Sequence, residues 1–236
     1  MPSGWFRVRR RFLLLGLTLA VLGGGAEPGP CDASSAPPGD LVTIGRLRYR
    51  GGGDWYTDTS ALPNLLRALQ DRFGWKTAPQ EEVVQPDDET LFTCPLIFMT
   101  GHGRVAFSDE ESARLRRYLE SGGFLWADDC YGLDESFRPA VRKIFPEEPL
   151  VELPFDHAIY HAPYEFPHGL PKIHEHDGGP PKGLGVIHNG RLVIFYSFDT
   201  DIGDGMENEE VHHDPAEKRE AALRMGINIA QYVLTH

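Results

Sequence analysis

Two short apolar runs do most to limit what this chain can fold into: Pro95 to Thr100 (PLIFMT) and Phe124 to Ala127 (FLWA). Each is continuously apolar, short and bounded by turn signals, which is how a strand covered on both faces reads. Between them Ser108 and Glu111 form a capping box that opens a helix to Glu120, and Gly122-Gly123 stops it. The alternation continues on either side. Leu41 to Tyr49 has strand-like alternation, Leu62 to Phe73 carries Leu62, Leu65, Leu66 and Leu69 on one helical face, and Glu135 to Phe145 reads as a helix. Asn189-Gly190 predicts a hairpin joining Gly185–His188 to Leu192–Phe198. A long amphipathic helix follows, with Asp214 as the expected N-cap, Pro215 in its first turn, and Ala222, Met225, Ile229 and Val233 as its buried stripe. This pattern predicts an α/β fold over residues 41–236, a mostly parallel sheet with helices on both faces.

The N-terminus reads as an export signal. Arg7, Arg9, Arg10 and Arg11 precede the apolar run Phe12 to Leu22, eleven residues that are too few to span a bilayer as a mature helix. Gly24 and Ala26 suit cleavage after Ala26, giving a signal over residues 1–26; an uncleaved anchor is the alternative. Arg9-Arg10-Arg11-Phe12-Leu13 also fits the twin-arginine pattern. Residues 27–40 are a Pro/Gly/Ser-rich spacer. The expected location is the periplasm or outside the cell. Loss of residues 1–26, which hold four arginines and no acids, would take the net charge from −12 to −16. So acidic a chain argues against nucleic acid and anionic membrane surfaces as partners. Three cysteines are too few for a disulfide framework.

Parallel sheets bind ligands beyond the carboxyl ends of their strands. The loops expected there are Gly51 to Tyr56, Gly101 to Arg104, Asp128 to Gly132 and Asp199 to Gly205, and all pair glycines with acids, histidine or aromatic rings. Eight of the ten histidines lie between His157 and His213. The sharpest motif is His174-Glu175-His176-Asp177. In an extended segment His174 and His176 point to one side, as two ligands of one metal do, with Asp177 completing the shell. Imidazole suits zinc or another transition metal. A metal-free polar pocket and a loop-bracing scaffold are the alternatives. His157 and His161 would share a face only on a helix.

Asp128 and Asp129 follow a buried strand and are candidates for general base or cation ligand, with one of them, Asp129 by slight preference, facing inward. The other would cap the next helix or pair with an arginine. His102, between two glycines, is a candidate acid–base group. Asp54, Trp55, Tyr56, Tyr131 and Asp199 are candidate ligand contacts, the aromatic rings as stacking surfaces for a sugar. Trp126 lies inside a strand and is expected in the core. The acids from Asp199 through Asp204, with Glu207 close by, resemble a calcium loop but lack the spacing of an EF-hand. Neither a P-loop nor a G-x-S-x-G elbow is present, so no nucleotide cofactor is expected and serine hydrolysis has no support.

The runs LIFMTGHGRVAFSDEE, LRRYLESGGFLWADDCYGLD, LVELPFDHAIYH, LPKIHEHD and FDTDIGDG resemble the bacterial domain of unknown function 4159, over about Leu41 to His236. The resemblance implies a flavodoxin-like α/β/α sandwich of the class I glutamine amidotransferase-like type, related to ThuA-like proteins, without supplying an activity. Amidotransferases hold a nucleophilic cysteine among small residues and a His-x-Glu pair before the last helix. Here Cys130 adjoins Asp128 and Asp129, whose charges raise a thiol's pKa, and no Glu stands two residues after His212 or His213. Two function classes follow. One is a metal-assisted hydrolase or isomerase acting on a polar ligand, such as a carbohydrate, in an acidic, His-rich cleft. The other is a non-catalytic ligand- or protein-binding module.

Overall fold

The computed structural model describes residues 41–176 and 178–236. The expected signal, the spacer and Asp177 lie outside the described residues. The elements in chain order are β1 Ile44–Leu47, α1 Ala61–Phe73, β2 Glu82–Val84, β3 Leu96–Met99, α2 Asp109–Glu120, β4 Phe124–Asp128, α3 Asp134–Ile144, β5 Val151–Glu152, β6 Lys182–His188, β7 Arg191–Phe198, α4 Ile202–Met206, α5 Glu209–His212 and α6 Ala216–Thr235.

Seven strands form one sheet in the order β2-β1-β3-β4-β7-β6-β5. From β2 to β7 neighbours are parallel, while β6 runs antiparallel to β7 and β5 antiparallel to β6. Helices α1, α4 and α6 pack together over one face, and α2 and α3 over the other. The result is an α/β fold with a mixed, mostly parallel sheet, consistent with a flavodoxin-like sandwich. No helix of the described residues is long and apolar enough to cross a membrane.

The apolar runs form the central strands for the expected reason. Phe98, Trp126 and Phe195 stand side by side in register toward α1 and α6, while Ile97, Leu125 and Ile194 face α2 and α3. The Ser108–Glu111 box opens α2 with both reciprocal bonds made. Asn189 and Gly190 take φ of 51° and 79°, the left-handed pair that a tight hairpin needs. Strands β2 and β5 escape the pattern reading because they have three and two residues and are largely exposed. Asp214 does not cap α6, which starts after Pro215 without a side-chain cap. Its carboxylate is engaged elsewhere. Cys94 precedes β3 and Cys130 follows β4, at opposite edges of the sheet, and both are buried free thiols.

Candidate functional site

One face of the sheet changes character at its carboxyl edge. Two residues beyond Phe98, Trp126 and Phe195, the same side carries Thr100, Asp128 and Ser197. Strand parity sends these three toward α1 and α4. The Asp128 side chain accepts from the Ser197 hydroxyl and, at 2.6 Å, from the Gly203 N–H at the start of α4. Fully buried, its carboxyl is pushed up to about 8 by desolvation, against the lowering effect of those two bonds.

Asp58 completes the inner part of the site. It lies in the turn before α1 at a left-handed φ of 55°. Buried Arg46 holds that turn, donating to the Thr57 and Asp58 carbonyls at 2.6 and 2.9 Å while pairing with Glu81. Asp58 Oδ2 accepts from Thr100 Oγ1 at 2.7 Å, and Cys130 Sγ lies 3.7 Å from the same oxygen. Asp58 Oδ1 is buried without a donor. Burial and the charge of Asp204 push the Asp58 carboxyl well up. The Cys130 thiol is likewise raised by burial and then by Asp58 and Asp204, which disfavours its thiolate form.

The outer part is built from the loop around His174 and from the segment after β7. His174 Nδ1 lies 3.1 Å from Asp201 Oδ2 and 3.2 Å from Asp204 Oδ2, and its Nε2 lies 3.0 Å from Asp214 Oδ2. Bonds to Asp201 and Asp204 push this imidazole up to about 10. His176 Nε2 contacts the same Asp201 oxygen, and its ring lies 5.3 Å from that of Tyr131. His212 on α5 reaches Glu207 Oε2 at 3.0 Å and Asp204 Oδ1 at 3.5 Å, with its ring 5.3 Å from His174. Asp204 is desolvated, which raises its carboxyl, but His174 and His212 lower it overall.

Among the described residues, donor atoms fall into three groups whose members lie within 4.8 Å of one another: His174, Asp204 and His212; Asp58, Asp204 and Glu207; and Asp58, Asp128 and Cys130. The backbone is bent to hold them. Asp58, Tyr131, Asp199 and Asp201 all take positive φ, a region sparsely used by side-chain-bearing residues and concentrated at functional sites. Gly203 is required by close approach, since a Cβ there would overlap Asp58 Oδ2 and come within 3.1 Å of Asp128 Oδ2.

The structure rearranges several expected contributions. Asp128, rather than Asp129, enters the centre; Asp129 points to the other face, where its Oδ1 accepts from the Tyr131 and Leu133 N–H groups at 3.3 Å ahead of α3. The inward preference for Asp129 is thus reversed, because parity separates the two side chains and α4 packs on the face that Asp128 shares. His174 and His176 share a carboxylate oxygen, but the imidazole grouped with His174 as a donor set is that of His212. Asp199 is buried and paired with Lys172 at 2.6 Å. His102 pairs with Asp54, Nδ1 to Oδ2 at 3.2 Å, at a half-exposed position. Trp55 is half-buried beneath the Arg48 guanidinium at 5.4 Å, which occupies one ring face, whereas Tyr56 and Tyr131 are exposed. His157 accepts from Ile159 N–H and His161 bonds Glu165 and the Phe155 carbonyl, so neither belongs to the cluster. The centre itself is buried rather than an open cleft: Asp58, Asp128 and Asp201 are at most 2% exposed.

Reasoning along the chain missed Asp58 and the partnership of His212 and Asp214 with His174. The available signals were an acid in a Thr-Asp-Thr-Ser turn before a helix and the His-His-Asp run before α6.

No curated protein matches the chain. The family model described as Domain of unknown function (DUF4159) matches residues 43–234, a span that contains every strand and all the donor groups above. The chain belongs to the DUF4159 family.

Proposed function

We propose that this domain is a metal-dependent enzyme whose outer ion is held by His174, Asp204 and His212, with Glu207 within reach. The observation that carries this reading is the placement of His174: Nδ1 faces the Asp201 and Asp204 carboxylates at 3.1 and 3.2 Å on the His212 side, while Nε2 is held by Asp214 at 3.0 Å. A carboxylate on the far nitrogen fixes the ring's orientation and tautomer, as around metal-ligating histidines. Two imidazoles and carboxylates suit zinc or another transition metal better than calcium. Such an ion supplies Lewis acidity and a water of lowered pKa. The chain's own residues supply the rest. Asp201 holds His176 through its Nε2, and the exposed Tyr56 and Tyr131 rings offer faces to a polar ligand such as a carbohydrate. Asp54 orients His102 through Nδ1, leaving Nε2 for proton transfer. Asp129 has no part in this chemistry.

The reaction class that fits is hydrolysis or isomerisation of a polar substrate by an exported protein. Kinship with the class I glutamine amidotransferase-like fold and ThuA-like proteins belongs to this proposal as an analogy of fold. The raised Cys130 thiol argues against glutaminase chemistry within it. Burial of the inner acids favours a second reading, a binding module that closes over its ligand without turning it over.

The test is metal analysis by mass spectrometry on the full chain, purified without chelator or a His-tag. The expected result is at least one equivalent of a transition metal, reduced by one in His174→Ala/His212→Ala with the circular dichroism spectrum kept. A folded, metal-free wild type, or full retention in the double variant, overturns the reading.

A further inference from the structure

We infer that the centre holds a second cation beneath the first, bound by Asp58, Asp128 and Cys130. This goes beyond the outer ion and stands on different observations. One donor atom from each of the three residues lies within 4.8 Å of the others, and all three side chains are buried. Asp58 Oδ1, in a residue 2% exposed, is buried without a donor, while Oδ2 accepts from Thr100 at 2.7 Å and has Cys130 Sγ at 3.7 Å. A buried carboxylate oxygen without a partner is costly, and a cation removes that cost.

The charges around the centre point the same way. Asp58, Asp128, Asp201, Asp204, Glu207 and Asp214 face three imidazoles, His174, His176 and His212. Among the described residues no lysine or arginine pairs with these six carboxylates; Lys172 is taken by Asp199 and Arg46 by Glu81 and main-chain carbonyls. Six carboxyl groups thus outnumber three imidazoles, and the inner two, Asp58 and Asp128, pair with no lysine or arginine. A divalent ion there would take their charge, with Cys130 releasing its proton on ligation.

The donors also say what kind of ion this is. The inner group carries the thiol, so it selects a thiophilic metal such as zinc or cobalt over magnesium or calcium. Asp58 and Asp204 belong together to the remaining donor group, with Glu207, which places their carboxylates between the two positions. Paired ions bridged in this way clamp the attacking and leaving oxygens of a displacement.

The experiment is titration of the chelator-treated full chain with cobalt(II) alone, followed by equilibrium dialysis and near-ultraviolet absorption. Two equivalents and a thiolate-to-cobalt charge-transfer band are expected. Cys130→Ser should remove the band and about one equivalent, and Asp58→Asn should do the same, so a folding defect in either variant does not decide the matter. His174→Ala/His212→Ala should lose the other equivalent and keep the band. One equivalent with a band that Cys130→Ser removes and the histidine variant keeps supports the inner ion and overturns the outer one. One equivalent without a band, insensitive to Cys130→Ser, overturns the inner ion and supports the outer one. Two equivalents without a band overturn the role of Cys130, and no binding overturns both positions, leaving protons to neutralise the acids.

Discussion

Gly203→Ala tests whether the acidic centre is a fixed constellation or a loose collection of carboxylates. The new methyl group would overlap Asp58 Oδ2 and stand 3.1 Å from Asp128 Oδ2. Neither oxygen has an easy retreat. Asp58 Oδ2 is held by Thr100 at 2.7 Å, and Asp128 is held between Ser197 and the Gly203 N–H itself. Overpacking a site of this kind costs about 1–3 kcal/mol. Weakening the bond from Gly203 N–H to the Asp128 carboxyl adds roughly 0.5–1.5 kcal/mol. Together these give about 1.5–4.5 kcal/mol, and a domain of this size loses about 2–4 °C of Tm per kcal/mol. Thermal unfolding of the full chain by circular dichroism, with chelator present so that ion binding does not enter, should show Tm lowered by roughly 3–18 °C. Asp58→Ala removes the first collision, so Gly203→Ala should cost at least about 0.5 kcal/mol less in that background. A Tm drop below about 2 °C, with no coupling to Asp58, would refute the rigid packing on which both proposed ion positions depend.

Two further changes probe the scaffold. Ser108→Ala removes a complete capping box from α2 and should cost about 0.5–2 kcal/mol while leaving metal content at the wild-type level; a change in metal content would refute the separation of scaffold and centre. His157 should make stability fall in acid. Burial holds its imidazole below the usual value, and Nδ1 accepts from Ile159 N–H at 3.3 Å. The folded state therefore resists a proton that the unfolded chain takes up below about pH 6.5, so its contribution is complete above that value and is lost as pH falls toward the folded pKa. Urea midpoints at about pH 7.5 and pH 5.5 should fall more for the wild type than for His157→Asn, and equal losses would refute the assignment.

The fold was legible wherever one residue type carried a local rule. PLIFMT and FLWA are strands because nothing polar interrupts them, α2 starts where Ser108 and Glu111 cap each other, and Asn189-Gly190 turns a hairpin. Strands β2 and β5 were not legible, because strands of three and two residues are too short to show a period. The centre was half legible. His174 and His176 stand out as a motif, and the acids after β7 stand out as a cation-like loop. What brings Asp58, His212 and Asp214 to them is tertiary: Asp58 to Asp214 spans most of the described chain. The reversal of Asp128 and Asp129 has a simpler cause. Alternation shows that adjacent side chains part, but which face receives the second layer of ligands depends on where α4 packs.

The aromatic row below the centre has an optical consequence. Trp126 lies two residues before Asp128, with its ring 4.7 Å from Phe98, and its Nε1 donates at 2.9 Å to Ser197 Oγ, the hydroxyl that also bonds Asp128. The indole is thus joined through one shared oxygen to a buried carboxyl whose counter-charge would change on ion binding, in surroundings where a field is weakly screened. Ion binding at the acids above it would therefore shift its emission, readable as the wild-type signal that Trp126→Phe removes.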